Sequence, residues 1–224
     1  MEKEILKLQE MVDEFIARHP TRLNVLEAGS GDMSYIHFGE KAHITGIDIS
    51  ELQLARHQGL DEKVLGDLEV YDFPPSSFDI IICWNVLEHL QNPSAALTRF
   101  AAAVRQRGII ILGMPNGLSL KGLLAKHTPH IFHIWIYRYI FGLVNAGQAD
   151  QAPFRTILSP SILPSAIQYF AQEQQLRVIY YASYDRAFFK RGLGRPFHAV
   201  KRLVQWMSLG KIGDSDFIIV LQKA

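Results

Sequence analysis

Short apolar runs alternate with amphipathic stretches along most of the chain. Residues 3–18 place apolar side chains at helical spacing, and Pro20 follows as a stop signal, which predicts an N-terminal cap helix within residues 1–20. The apolar runs that follow are short, as in the strands of a parallel sheet. These predicted strands are Leu23–Ala28, His43–Asp48, Lys63–Gly66, Phe78–Trp84, Gly108–Leu112, Leu176–Ala182 and Asp216–Gln222.

Helix signals lie between these runs and give much of the chain a βαβ rhythm. Ser, Asn and Pro are favoured at the cap and first-turn positions of helices, where they mark a start. The predicted helices begin at Ser50, at Asn92-Pro93-Ser94 and at Ser159-Pro160, and run to about Gln58, Gln106 and Gln175. The pattern therefore predicts an α/β fold built on a mostly parallel sheet.

Two segments break the rhythm, and we interpret residues 118–158 and 183–215 as insertions that form a lid or an acceptor pocket. The first combines histidine and aromatic clusters without a strand pattern. Within the second, residues 186–211 contain seven basic residues and no acidic one, with aromatic residues between them. This composition is typical of a solvated face, and a weak peripheral contact with a membrane surface is the alternative.

Composition limits the class of protein. The chain has 224 residues, of which 48% are hydrophobic and 20% charged, as expected for one globular domain over residues 1–224. A net charge of +1 gives no reason to expect a nucleic-acid partner. Cys83 is the single cysteine and no signal peptide pattern is present, so we expect a cytoplasmic location and no metal site. Oligomeric state has no signal in the sequence.

The loop after the first predicted strand carries the candidate chemistry, because ligands of open parallel sheets bind beyond the carboxyl ends of the strands. Gly29 and Gly31 allow the backbone to approach a ligand closely. With Asp48 they also approximate a dinucleotide fingerprint, so a nicotinamide-dependent dehydrogenase is the alternative. Glu27 favours a ligand with an ammonium group, since its carboxylate would repel a pyrophosphate. Asp48 suits a ribose diol in either ligand.

These motifs and their order resemble a known family. Val25–Gly31, Gly46-Ile47-Asp48, Gly66-Asp67 and Phe78–Ile82 resemble successive motifs of class I S-adenosylmethionine-dependent methyltransferases. Asn85–Pro93 is similar to the segment after strand four in the subgroup that contains ubiquinone-biosynthesis methyltransferases. The resemblance covers roughly residues 20–117 and, more loosely, the closing helix and strands. It implies a Rossmann-like seven-stranded sheet in the order 3-2-1-4-5-7-6, with strand seven antiparallel and helices on both faces.

The resemblance also implies a cofactor site for S-adenosylmethionine, with S-adenosylhomocysteine as the product. Glu27 would meet the methionyl amino group, Asp48 the ribose, and Asp67 the adenine amine. The full implied set is Glu27, Gly29, Gly31, Asp48, Ile49, Asp67, Leu68, Trp84 and Asn85. Met33 occupies the position of the family's usual third glycine and is expected to narrow the methionyl pocket. A non-catalytic member of the fold is the alternative that Met33 suggests.

The predicted reaction is methyl transfer to an oxygen, nitrogen or carbon of a small apolar or aromatic acceptor. Placement of the acceptor supplies most of the rate, and a hydroxyl acceptor also needs a base whose pKa lies near ambient pH. His89, just past strand four, is the first candidate, and Glu88 could orient it. His130 and His133 of the first insertion are the second choice. The alternative for each histidine is a packing or capping role.

Overall fold

A seven-stranded sheet forms the centre of the molecule. The computed structural model describes residues 1–140, 142–148, 151–185 and 213–224. The strands are β1 Leu23–Ala28, β2 Ala42–Asp48, β3 Glu62–Leu65, β4 Phe78–Trp84, β5 Val104–Pro115, β6 Leu176–Tyr184 and β7 Asp216–Lys223. They lie in the order β3-β2-β1-β4-β5-β7-β6, with β7 antiparallel to both of its neighbours and the other pairs parallel. The predicted fold class and strand order are confirmed.

Six α-helices in the described residues surround this sheet. They are α1 Glu2–Arg18, α2 Glu51–Arg56, α3 Pro93–Ala103, α4 Leu120–His127, α5 His130–Tyr139 and α6 Pro164–Glu173. The predicted ends of three helices were too late. The helix predicted to reach Gln106 ends at Ala103, because the chain enters β5 at Val104. The polar residues Arg105, Gln106 and Arg107 therefore belong to the start of this strand. Ser159-Pro160 opens a short 3-10 turn, and α6 itself begins at Pro164.

Side chains of the strands alternate between two hydrophobic cores, as the period of two in a strand requires. In β1, Leu26 packs in the core under α3 and α6, whereas Val25 packs in the opposite core. The cap helix α1 closes this second core with its buried residues Leu8, Val12 and Ile16. The amphipathic pattern of residues 3–18 therefore predicts both the helix and its buried face correctly.

The connection between β1 and β2 departs from the predicted βαβ rhythm. Residues 29–41 are described throughout and contain one 3-10 turn but no α-helix. Helix α1 occupies the face that a crossover helix would cover, and Ile36 of the connection packs beside it. Gln9 of α1 fixes the connection through two hydrogen bonds with the backbone of His37, at 2.7 and 2.9 Å. The N-terminal helix α1 thus takes the place of a crossover helix between β1 and β2.

The two predicted insertions differ in what the structure describes. The first, residues 118–158, contains α4 and α5, and Ser119 caps α4 by accepting a hydrogen bond from the Gly122 N–H group. Most of the second, including the basic segment 186–211, lies outside the described residues. Among the residues that the structure describes, no helix is both long and apolar enough to cross a membrane.

Candidate functional site

A cleft of about 1110 Å³ opens at the carboxyl ends of β1, β2 and β4. One wall is formed by the loops that follow these strands, and the other by α4, α5 and the segment around Phe154. The cleft is lined by all nine residues of the predicted cofactor site: Glu27, Gly29, Gly31, Asp48, Ile49, Asp67, Leu68, Trp84 and Asn85. The topology therefore brings together residues that are far apart in the sequence. Their individual roles remain predictions.

Glu27, at the carboxyl end of β1, is a buried acid, and one of its carboxylate oxygens accepts no hydrogen bond from the described residues. Its side chain is 5% exposed, and its Oε2 accepts a hydrogen bond from the Ser34 hydroxyl at 2.8 Å. Among the described residues, Oε1 has no hydrogen-bond partner. Burial raises the pKa of this carboxyl group, and the Ser34 hydrogen bond partly offsets the increase. A buried acceptor without a donor is costly, so the site is suited to a ligand that brings a donor or a positive charge.

The two glycines form a cradle beside this carboxylate. Both have positive φ angles, 71° at Gly29 and 59° at Gly31, which side chains with a Cβ rarely adopt. A Cβ atom at Gly29 would lie 2.3 Å from the side chain of Val86, so this position also excludes a side chain by contact. The Gly29 N–H group donates to the carbonyl of Ile47 at 2.8 Å, which ties the loop to β2.

Asp48 at the end of β2 fixes the other side of the loop. Its Oδ2 accepts from the Gly31 N–H group and its Oδ1 from the Ser50 N–H group, each at 2.9 Å. A carboxylate offers about four lone-pair sites. Each oxygen of Asp48 therefore keeps acceptor capacity for a ligand hydroxyl. These contacts within the loop are therefore compatible with the predicted contact of Asp48 to a ribose diol.

The loop after β3 is joined to the segment after β4. Asp67 accepts a hydrogen bond from the Glu69 N–H group at 2.8 Å, and Leu68 between them is buried. The carboxylate of Glu69 in turn accepts from the backbone N–H groups of Gln91 and Asn92. Glu69 lines the cleft and was not predicted. No sequence signal distinguished it from the other acidic residues of the chain.

Trp84 and Asn85 form the floor of the cleft at the end of β4. The Trp84 ring stacks on Tyr35, with ring centroids 5.2 Å apart, and approaches Gly113 so closely that a Cβ there would lie 2.6 Å from the indole. Asn85 has a φ of 54°, a left-handed conformation that Asn tolerates better than most residues. Its N–H group donates to the Gly113 carbonyl at 2.8 Å. This contact holds the strained residue at the strand end.

His89 lines the cleft, and a hydrogen bond determines which of its ring nitrogens carries the proton. Its Nδ1 lies 2.8 Å from the carbonyl oxygen of Arg155. A carbonyl only accepts, so Nδ1 carries the proton and Nε2 keeps its lone pair in the neutral ring. Burial lowers the pKa of His89, which favours this neutral form near pH 7. Glu88 Oε1 lies 3.8 Å from Nε2, which is too long for a hydrogen bond, and Nε2 carries no proton in this tautomer, so the orienting role of Glu88 stays a prediction.

The two histidines of the insertion have different positions. His133 lines the cleft, and its Nε2 lies 2.6 Å from the Thr128 hydroxyl, which itself donates to the Leu124 carbonyl. Burial lowers the pKa of His133, and nearby His130 lowers it further. The His130 ring lies 6.2 Å from that of His133 but does not line the cleft. In the described part of the chain, no group of three His, Cys, Asp or Glu side chains could hold a metal ion.

Of two further residues near the glycine loop, His57 was missed by the sequence reasoning and Met33 was not. His57 is buried, with its Nε2 at 3.3 Å from the Ser34 hydroxyl and 3.4 Å from Glu27 Oε2. The predicted helix ran through His57, whereas α2 ends at Arg56 and His57 is the C-cap residue that follows it. Met33 was noted for its departure from the family pattern. It lines the cleft, and its side chain is 58% exposed.

The connection after the glycine loop disfavours a dinucleotide. Dinucleotide folds bind the pyrophosphate at the N-terminus of the helix that follows the glycine-rich loop. Residues 29–41, all of which are described, form no α-helix here. The buried carboxylate of Glu27 lies directly before the glycine loop and would repel a phosphate bound there. Both features oppose a bound pyrophosphate.

A family model described as a methyltransferase domain matches residues 2–149. The chain belongs to this methyltransferase family. Its match to the ubiquinone biosynthesis O-methyltransferase of Dechloromonas aromatica (strain RCB) is 26% identical over 151 residues, covering 64% of this chain and 62% of the relative. The chain thus spans less than two thirds of the length of this curated relative.

Solved structures show the same methyltransferase fold. An S-adenosylmethionine-dependent methyltransferase from Archaeoglobus fulgidus aligns with a TM-score of 0.55 and 16% identity over 98% of this chain and 94% of that one. Phosphoethanolamine N-methyltransferase 2 from Haemonchus contortus, solved in complex with S-adenosyl-L-methionine, aligns with a TM-score of 0.58 and 12% identity over 97% and 52%. At these identities the likeness concerns the fold alone.

Proposed function

We propose that this methyltransferase domain binds S-adenosylmethionine and transfers its methyl group to a small apolar or aromatic acceptor. The observation that carries the proposal is the buried Oε1 of Glu27, which lacks a protein donor and lies in the cleft beside the Gly29–Gly31 cradle. An ammonium group supplies both the donor and the positive charge that this oxygen needs. Membership of the methyltransferase family supports the same ligand.

The remaining contacts of the proposed cofactor follow from the cleft. Asp48 keeps lone pairs for the ribose hydroxyls, with Ile49 beside it. Asp67 and the Leu68 amide would contact the adenine. Trp84 and Asn85 would lie near the sulfonium, where an aromatic face or a carbonyl suits a cation.

The acceptor side of the cleft is chiefly apolar and aromatic. This wall is formed by Leu124, Phe132, Ile136, Tyr137, Pro153 and Phe154. Apolar walls with a few polar groups are typical of sites for small molecules. When bound, S-adenosylmethionine supplies an activated methyl group, so the wall's main task is to place the acceptor in line with it. The insertion 118–158 would thus select the acceptor.

An oxygen atom is the acceptor atom that the observations favour. A phenol or similar hydroxyl must lose its proton as it reacts, and neutral His89 offers the Nε2 lone pair for that proton. His133 is the second candidate base, and His130 would act only through His133 because it does not line the cleft. The matched relative from Dechloromonas aromatica is named as an O-methyltransferase, which supports the same choice.

The outer face of the insertion favours a weak peripheral contact with a membrane. Large apolar side chains of α5 and the segment after it are exposed outside the cleft, namely Ile131, Trp135, Tyr139, Ile140, Leu143 and Val144. Residues 117–149 contain no acidic side chain, and the basic segment 186–211 has none either. Apolar and aromatic residues combined with basic ones are typical of helices that lie on anionic bilayers.

Release of S-adenosylhomocysteine from S-adenosylmethionine tests the proposed reaction. The protein is incubated with a panel of phenols, catechols, amines and carboxylic acids, and product is quantified against reactions that lack an acceptor. We expect turnover with aromatic hydroxyl acceptors. Binding of S-adenosylhomocysteine without turnover of any acceptor would instead support a non-catalytic member of the fold. Turnover of amines alone would contradict oxygen as the acceptor atom.

A further inference from the structure

A buried histidine outside the predicted site contacts the carboxylate that we assign to the cofactor's ammonium. His57 is 2% exposed and lies just after α2. Its Nδ1 lies 3.1 Å from the Gly59 backbone nitrogen, and its Nε2 lies 3.3 Å from the Ser34 hydroxyl oxygen. Ser34 in turn lies 2.8 Å from Glu27 Oε2. These contacts form one continuous path from the backbone to the carboxylate.

The chemistry of the donors fixes the direction of every hydrogen bond in this path. The Gly59 N–H group can only donate, so Nδ1 of His57 accepts and its proton resides on Nε2. That Nε2–H group then donates to the Ser34 oxygen. Ser34 has a single proton, which goes to Glu27 Oε2. The three bonds therefore all point toward the carboxylate, an arrangement in which each bond polarises the next.

The path meets only one of the two carboxylate oxygens. Glu27 Oε2 receives the Ser34 hydroxyl, whereas Oε1 has no partner among the described residues. Burial lowers the pKa of His57, and the positive charge of Lys63 lowers it further, so the ring is neutral near pH 7. A neutral ring donates a hydrogen bond without adding a cation that would compete with the ligand's ammonium. Oε1 is thus left for the ligand.

We propose that His57 is a positioning residue that acts through Ser34 to hold the Glu27 carboxylate with Oε1 directed at the amino group of the bound methionyl moiety. This inference rests on the proposed function. The proposal predicts that His57 affects only the binding of ligands that carry the amino acid part, because only these ligands contact Glu27. A nucleoside without that part, such as 5′-methylthioadenosine, binds the other half of the cleft.

The test compares two ligands by calorimetry on the purified full chain. His57→Leu removes both ring nitrogens, Ser34→Ala breaks the path with a smaller change, and His57→Gln keeps a side-chain N–H group near the position of Nε2. We expect His57→Leu and Ser34→Ala to weaken S-adenosylhomocysteine about tenfold, as for loss of a hydrogen bond to a charged group. Affinity for 5′-methylthioadenosine should change less than about twofold. His57→Gln should recover most of the affinity for S-adenosylhomocysteine.

The Glu27→Gln background completes the design. If His57 acts through Glu27, adding His57→Leu to Glu27→Gln should leave the remaining affinity for S-adenosylhomocysteine unchanged within about twofold. Equal losses for both ligands in Ser34→Ala, whose folding is checked by circular dichroism, would show a merely structural role and overturn the proposal. Unchanged affinities in every variant would overturn it too. A wild-type chain that binds neither ligand would instead refute the proposed function.

Discussion

Replacement of Glu27 by glutamine isolates the charge on which the proposed cofactor site depends. The substitution keeps the shape of a side chain that is 5% exposed, and the amide oxygen can still accept from Ser34. It removes the negative charge and therefore leaves the ligand's ammonium buried without its partner. Loss of one partner of a buried ion pair costs about 3 kcal/mol. At about 1.4 kcal/mol per tenfold change, the Kd for S-adenosylhomocysteine should rise about 150-fold.

Thermal unfolding gives the same prediction a second form. At a ligand concentration of about 100 times the wild-type Kd, binding stabilises the wild-type chain by about 2.7 kcal/mol. With a Kd raised about 150-fold, the same concentration should stabilise Glu27→Gln by about 0.3 kcal/mol, which is close to the limit of a melting assay. Calorimetry then measures the Kd itself.

Without ligand, Glu27→Gln should not lower the stability of the protein, although it weakens ligand binding. Burial raises the folded-state pKa of Glu27 above its ordinary value, so stability falls as the pH rises from that ordinary value through the raised one, and ionisation of Glu27 costs stability at pH 7. Glu27→Gln removes that cost, and the Tm of the ligand-free protein should not decrease. Glu62→Gln, an exposed acid of β3 outside the cleft, is the matched control and should change neither quantity. Unaltered S-adenosylhomocysteine binding by Glu27→Gln would refute the electrostatic argument.

Three further predictions use the same site and the face beside it. Gly29→Ala should lower S-adenosylhomocysteine affinity more than 100-fold in calorimetry, because the new Cβ meets the side chain of Val86. The control is Gly39→Ala, which has a similar φ but open space around the new Cβ and should cost only about 1 kcal/mol of stability. Wild-type turnover should be flat from about pH 7 to 8 and fall only at a pH below the ordinary pKa of histidine, because burial lowers the pKa of His89 and protonation removes its lone pair. His89→Asn should lower turnover about 100-fold. Turnover equal to that of the wild type would exclude this base. Trp135→Ala should reduce the fraction of protein that pellets with anionic vesicles at low salt, whereas Tyr169→Ala, an exposed residue of α6, should not. Equal pelleting of Trp135→Ala and the wild-type chain would contradict the membrane contact.

The sheet and the cofactor side of the cleft could be predicted from the sequence because their signals are local. Each strand is a short apolar run, and the acids at strand ends, such as Glu27 and Asp48, fall at one edge once the strands are parallel. The resemblance to class I methyltransferases then gave the strand order, which no local pattern contains. The structure confirms both the fold class and the strand order that were predicted in this way.

The errors arise where tertiary contacts decide the outcome. The general βαβ rhythm fails between β1 and β2, where residues 29–41 form no α-helix and α1, distant in the sequence, covers that face. His57 gave no signal, since its role depends on contacts with Ser34 and Glu27 across the fold. His130 belongs to an insertion without recognisable motifs, and its position behind His133 follows only from the packing of α5.

Calorimetry of the wild-type chain with S-adenosylhomocysteine and, separately, with NADH tests the central claim most directly. A cleft with a buried Glu27 carboxylate and no α-helix over residues 29–41 should bind S-adenosylhomocysteine at one site per chain and give no heat with NADH. Tight binding of NADH with none of S-adenosylhomocysteine would contradict the account.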